Sequence, residues 1–257
     1  MVAFRRALDD TMRSLGFLSR IPLSDRWFEG FDGRYVHTAR MMPLAGALAA
    51  LPTVLTLLSL NAIGADPLLA SMLAVACGLV VTGALHEDGL ADTFDGLGLS
   101  GPSRRIEAMR DSALGVFGAC ALVVALGVRV AAFAVLSQSL IGAAAVVLAS
   151  AAIGRAGMVY VWGTSSAASM SGAATVVGKP ALSAVRFAVV LVTLLAVPSV
   201  VLYGPFAAIV GTLLVLATVR IVRRRMIEPI GGHTGDILGA TAIMCELAWL
   251  VPLAVIA

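Results

Sequence analysis

The chain has 257 residues, 60% of them hydrophobic and only 13% charged, with a mean hydropathy of +0.98. Soluble globular domains carry about 25% charged residues, so composition excludes a soluble domain and points to a polytopic membrane protein. The net charge of +3 is no nucleic-acid signature; what matters is where the basic residues lie, because they orient the protein in the bilayer.

Residues 1–37 are polar and Arg-rich, and Phe4, Leu8, Met12, Leu15 and Leu18 recur at helical spacing. This predicts an interfacial amphipathic helix on the cytoplasmic face, ending near Ile21-Pro22. The N-terminus has no apolar core of a cleaved signal peptide. Seven apolar runs follow, at 39–60, 67–85, 114–136, 140–162, 185–203, 206–222 and 237–256. Each approaches the roughly 20 residues that span a bilayer. Cys77, Cys120 and Cys245 all fall inside these runs, without the spacing of a zinc or redox pair, and read as packing residues.

The basic residues test this layout. Of the 18 Lys and Arg, seven lie at or before Arg40, three in 86–113, two at Lys179 and Arg186, and four at 220–225. Arg129 and Arg155 are the two inside spans, and the short connections 61–66, 137–139 and 203–205 hold none. With the N-terminus inside, every cytoplasmic loop is basic and every opposite loop is bare, as the positive-inside rule requires. The expectation is an all-α, polytopic integral membrane helix bundle: about seven transmembrane helices preceded by the interfacial helix, in a single domain over 1–257. The long polar loops 86–113, 163–184 and 223–236 then share the cytoplasmic face.

Those loops carry the chemistry. Asp88, Asp92 and Asp95 fall within 82–98, a stretch with Gly89 and Gly96 between them. On a helix this spacing stacks the carboxylates on one face, with Glu87 and His86 pointing elsewhere. Three like charges on one face suit a hard cation such as Mg²⁺, which shares its shell with phosphates. Downstream come Arg110, Asp111, Ser112 and Gly115 where the third span begins; Asp111 is either a helix cap or a further ligand. Arg129 and Arg155 within spans need anionic partners, since a mid-membrane guanidinium costs about 2.5–3.5 kcal/mol. Arg155, between Gly154 and Gly157, is a candidate phosphate clamp, and Arg129 reads as structural. Lys179 is either a phosphate-reaching lysine or an orienting charge. Gly231, Gly232, His233 and Thr234 lead through Gly235 to Asp236 at the start of a helix, a composition suited to cradling phosphate. Glu246 lies ten residues into the last span, where it must face the bundle interior. His86 and His233 are candidates for proton transfer.

Three separated motifs carry a family resemblance. They are His86-x-Asp88-Gly89-Leu90-Ala91-Asp92-Thr93-x-Asp95-Gly96, then Met109-Arg110-Asp111-Ser112-x-x-Gly115-x-x-Gly118, then Gly231-Gly232-x-Thr234-Gly235-Asp236-x-x-Gly239-Ala240. In this order they resemble the cobalamin synthase (adenosylcobinamide-GDP ribazoletransferase) family, from Phe17 to Glu246. Glu87 and His233 depart from the apolar residue and the Gln associated with those positions. The resemblance implies an inner-membrane prokaryotic enzyme facing the cytoplasm that joins adenosylcobinamide-GDP to alpha-ribazole, or to its 5′-phosphate, and releases GMP with Mg²⁺ as cofactor. It implies that Asp88, Asp92 and Asp95 hold the metal and that Arg110, Arg155 and Lys179 contact phosphate. Asp111, Asp236 or a histidine would orient or deprotonate the attacking hydroxyl. The lipid bilayer is an obligatory partner. A homo-oligomer, or association with other corrinoid-assembly enzymes, is compatible with this reading. Two other classes compete. A CDP-alcohol phosphotransferase would share Asp92-x-x-Asp95-Gly96, but Leu97-Gly98 stands where Ala-Arg is expected. A cation-coupled transporter would place its acids near mid-membrane on repeated spans, and no such repeat is visible.

Overall fold

The computed structural model describes residues 2–168 and 178–257. Helix α1 (Val2–Leu18) is the expected amphipathic helix. Its Leu15 and Leu18 are buried against Ala39, Met42 and Ala45, while Phe4 stays exposed. A short helical stretch, α2 (Met42–Ala49), continues into α3 (Leu51–Ala62), with Pro52 starting the second segment. Helix α4 (Pro67–Thr82) is started by Asp66, whose carboxylate accepts from the Leu68 and Leu69 amides at 3.0 and 3.1 Å. Such a cap contributes about 0.5–2 kcal/mol.

The chain then turns. Gly83 and Ala84 both have left-handed backbones (φ 63° and 54°), costly for the alanine. The next helix, α5 (Leu85–Leu97), leaves α4 at 90°. The expected span 67–85 therefore ends at Thr82, and the aspartate stretch lies on a separate helix beyond the bend. The rest of the expected loop is largely helical, as α6 (Pro102–Arg110). Then come α7 (Val116–Leu136), α8 (Leu140–Thr164), α9 (Leu182–Val222) and α10 (Gly235–Ile256).

Among the described residues, five helical segments are long and apolar enough to cross a bilayer, and six if the bent α4–α5 pair counts as one broken span. This falls short of the seven expected spans; α9 is one continuous element broken only at Gly204, whose φ of 82° and ψ of 163° are not helical and which precedes Pro205. At 1.5 Å per residue its 41 residues would reach about 60 Å, twice a bilayer's hydrocarbon core of about 30 Å. Helices α8 and α10 are the most enclosed; α7 and α9 are mostly open. They expose Val123, Val124, Leu194, Val201 and Leu213, a surface suited to lipid rather than water. The core joins α8 and α10 through Val146, Ala149, Ile153, Trp249 and Leu253. Small residues permit this: a Cβ on Gly154 would lie 2.5 Å from the Ala242 carbonyl, and one on Gly157 2.6 Å from Cys245 Sγ.

Candidate active site

The site forms where α5 crosses the start of α10. Two glycines make the crossing possible. A Cβ on Gly89 would stand 2.8 Å from the Asp236 carbonyl oxygen, and one on Gly239 would meet the His86 and Gly89 Cα atoms at 3.4 and 3.5 Å. The approach brings Asp88 and Asp92 of α5 beside Asp236, close enough for their charges to couple. Burial, then Asp88, Asp236 and Asp95, push the Asp92 carboxyl up from 3.8 to about 6. Asp88 is exposed and Asp92 and Asp236 are half-buried, so the cluster opens outward.

Asp95 does something the sequence reading did not assign. Its Oδ2 accepts from the Gly115 amide and its Oδ1 from the Gly118 amide, both at 2.8 Å. It thereby caps the N-terminus of α7 across space, with anionic charge at the positive end of the helix dipole. A Cβ at either glycine would collide with this carboxylate, which explains the Gly115-x-x-Gly118 spacing. Of the expected trio Asp88–Asp92–Asp95, Asp95 is committed to α7, while Asp236 of α10 lies near Asp88 and Asp92. Among the described residues, no three His, Cys, Asp or Glu side chains stand close enough to form a ready-made metal cluster.

The glycine turn before α10 is built differently from a phosphate cradle. Gly231 is left-handed (φ 77°), and a Cβ on Gly232 would collide with the Ala167–Ala168 backbone. The His233 amide donates to Ser166 O at 2.8 Å and the Ala168 amide to His233 O at 3.0 Å. Thr234 is the N-cap of α10, accepting from Ile237 N–H at 3.2 Å. These residues join the turn to the end of α8, and the Thr234 hydroxyl is already used. His233 is 2% exposed, and its Nδ1 is 2.9 Å from Ser165 Oγ. Ser165 gives its proton to Val161 O at 2.7 Å, so its lone pair accepts from Nδ1–H and leaves Nε2 as the basic nitrogen. Burial, and the Lys179 ammonium nearby, hold this imidazole below 6.5, neutral at pH 7. No sequence signal marked Ser165.

Lys179 is exposed and lines an open pocket of about 470 Å³ with His37, Arg40 and Phe187. Arg40 there is paired to Asp10 at 2.7 Å. Arg110 ends α6 and is exposed; Asp111 beside it forms a local turn, accepting from Ala113 N–H at 3.0 Å.

Two expected site residues lie elsewhere. Arg155 does not reach toward a phosphate: it is 5% exposed and donates to Glu246 Oε2 at 2.9 Å. Arg129 joins the same group, donating from Nε to Glu246 Oε1 and from Nη1 to Glu87 Oε1, each at 3.0 Å. The cost of two guanidinium groups inside the bundle is met by two carboxylates, because paired charges are the form in which the apolar interior tolerates them. His86 is 2% exposed and backed by Gly239 on the side of α5 that faces Arg129 and Arg155, removed from the acidic opening. Its Nδ1 has no partner among the described residues.

This arrangement of aspartates, glycines and N-capped α10 coincides with what sequence comparison finds. The family model described as cobalamin-5-phosphate synthase matches residues 10–254. The chain belongs to this family. It is similar to curated proteins named adenosylcobinamide-GDP ribazoletransferase. The one from Sinorhizobium medicae (strain WSM419) is 43% identical, with 99% of each chain covered. Those of Allorhizobium ampelinum and Brucella canis are 39% and 38% identical, with 96% of each chain covered. No solved structure matches. The three motifs that carry the sequence resemblance fall on the α5–α10 crossing, the α6–α7 junction and the turn before α10.

Proposed function

We propose that this chain is the ribazoletransferase of cobalamin assembly. It transfers the corrinoid phosphate of adenosylcobinamide-GDP to a ribose hydroxyl of alpha-ribazole or its 5′-phosphate, with release of GMP. The observation that carries this reading is the convergence of Asp88, Asp92 and Asp236 at a glycine-mediated crossing, in a chain matched over its length by ribazoletransferases. One or two of Asp88, Asp92 and Asp236 would hold Mg²⁺, with substrate phosphate and water completing its shell, and their hard oxygen donors fit it. When bound, that ion neutralises charge on the diphosphate and on the leaving GMP.

The remaining work falls to the chain's own residues. Lys179 and Arg110, both exposed, supply positive charge for phosphate oxygens. His233, held neutral with Nε2 basic, accepts the proton of the attacking hydroxyl. Asp95 fixes α5 to α7 so that the two free aspartates keep their spacing. Most of the catalysis is positioning and charge stabilisation. The family name, with its retained 5-phosphate, favours the phosphorylated acceptor.

The site faces the cytoplasm of a prokaryotic inner membrane, and the distribution of Lys and Arg supports this orientation. Purified protein in detergent, given adenosylcobinamide-GDP, alpha-ribazole 5′-phosphate and Mg²⁺, releases GMP stoichiometric with corrinoid product. Release is lost with EDTA and in Asp88→Ala. Mg²⁺-independent turnover, or full turnover in Asp88→Ala, would refute the metal assignment. A C-terminal reporter active only outside the cytoplasm tests the orientation.

A further inference from the structure

Helix α5 carries two of the three free aspartates, yet its own start is poorly secured. It follows the left-handed pair Gly83–Ala84, and its N-cap Ala84 has no side chain to bond the first amides. Two contacts to α7 replace that anchoring. At the C-terminal end, Asp95 accepts from the Gly115 and Gly118 amides. At the N-terminal end, Glu87 accepts from Arg129 Nη1. The two anchors are eight residues apart on α5, about 12 Å, and eleven apart on α7 in the reverse order, about 16 Å. The helices therefore run antiparallel and are joined at both ends. Asp88 and Asp92 lie between the anchors, and Asp88 is the immediate neighbour of Glu87.

The N-terminal anchor is itself held from behind. Arg129 is shared with Glu246 of α10, and Glu246 with Arg155 of α8. All four residues are only 5–8% exposed. Among the described residues Glu87 Oε2 and Arg155 Nε have no hydrogen-bond partner, and all four residues line one cavity of about 50 Å³ together with Thr53 and Thr82. A water needs roughly 10–15 Å³ of such space and several polar neighbours, so this cavity suits bound water that completes the bonding of those two atoms. An apolar contact between α5 and α7 would allow the helix to rotate or slide. A paired, desolvated charge fixes direction, because the alternative leaves a guanidinium unpaired in the bundle.

We infer that Glu87 is a positioning residue. The four-charge chain Glu87–Arg129–Glu246–Arg155 is a lock through which the membrane core sets the rotation of α5 and holds Asp88 and Asp92 against Asp236. The catalytic part of this inference rests on the ribazoletransferase reading; the structural part does not. The test compares Glu87→Ala with Glu87→Gln in detergent, reading amide hydrogen exchange, turnover and thermal stability. Glu87→Ala raises exchange across residues 85–97 by tenfold or more, with α8 and the middle of α10 unchanged. It lowers kcat at least tenfold while the KM for the corrinoid substrate stays within twofold. Glu87→Gln, which keeps an oxygen for Arg129 Nη1, recovers kcat to within about threefold of the parent.

If Glu87→Ala does not fold, the neutral double variant Glu87→Leu with Arg129→Leu, which leaves Glu246 paired to Arg155, is read the same way. Wild-type exchange in α5 together with turnover within twofold, in whichever of these folds, overturns the lock. So does equal impairment of the Ala and Gln variants in proportion to lost thermal stability, which would mark simple charge balance. An unchanged parent without ribazoletransferase activity would instead sink the functional reading, while the exchange data still decide the lock.

Discussion

Asp92→Asn tests the acidic cluster most directly, because its effects on stability and on activity have opposite signs. In the folded chain the Asp92 carboxyl is pushed from 3.8 to about 6 by burial and then by Asp88, Asp236 and Asp95. A raised acid binds its proton more tightly when folded, so the charged form costs stability. That cost is absent below about pH 3.8, grows between 3.8 and 6, and is complete above 6. A shift of about two units at 1.36 kcal/mol each gives an upper bound of about 3 kcal/mol. Asp92 is half-open to solvent, and screening reduces this to about 1 kcal/mol. Asp92→Asn should therefore raise the unfolding temperature by roughly 2–4 °C at pH 8 in EDTA, and by almost nothing at pH 4. Adding Mg²⁺ at pH 8 should stabilise the parent by mass action but not the variant, which should also release no GMP. Thermal unfolding in detergent at the two pH values, with EDTA or Mg²⁺, reads all of this. Equal stabilisation at pH 4 and pH 8, or none at pH 8, would show that Asp92 does not sit among repelling carboxylates.

Further substitutions separate the site from its supports. Arg155→Ala leaves Glu246 Oε2 unpaired and should cost about 3–5 kcal/mol of stability; the fraction that folds should keep a normal KM for the corrinoid, as measured by folded yield and single-substrate kinetics. Gly118→Ala drives a Cβ into the Asp95 carboxylate and should cost about 1–2 kcal/mol, the range of a lost N-cap, visible as increased amide exchange at the start of α7. Gly89→Ala places a Cβ 2.8 Å from the Asp236 carbonyl, parts α5 from α10, and should cut kcat more than it cuts stability. His233→Ala should lower kcat about 10²-fold, the low end of general-base effects, with less loss of binding. A solvent-isotope and pH profile of that variant checks whether a proton step has changed.

Much of this protein was legible in its sequence. Hydropathy alone identifies a helical membrane protein, because a lipid interior admits only helices or closed barrels and these runs are about 20 residues long. The amphipathic α1 follows from its periodicity and ends at Leu18, close to Ile21-Pro22. Asp88, Asp92 and Asp236 were named from spacing and motif, and family membership rests on a match over nearly the whole chain.

Pairing and direction were decided by tertiary structure. Asp95 has the same spacing as its neighbours, yet it faces the amides of α7, and nothing local to 82–98 encodes where α7 begins. Arg155 looked like a phosphate clamp because its partner, Glu246, is 91 residues away. The sequence set the number of charges inside the bundle, two guanidinium groups and two carboxylates, since an apolar medium demands near-neutral pairing. Only the packing of α5, α7, α8 and α10 assigned which carboxylate meets which guanidinium. The same packing left Asp88, Asp92 and Asp236 outside these ion pairs, at the open side of the α5–α10 crossing.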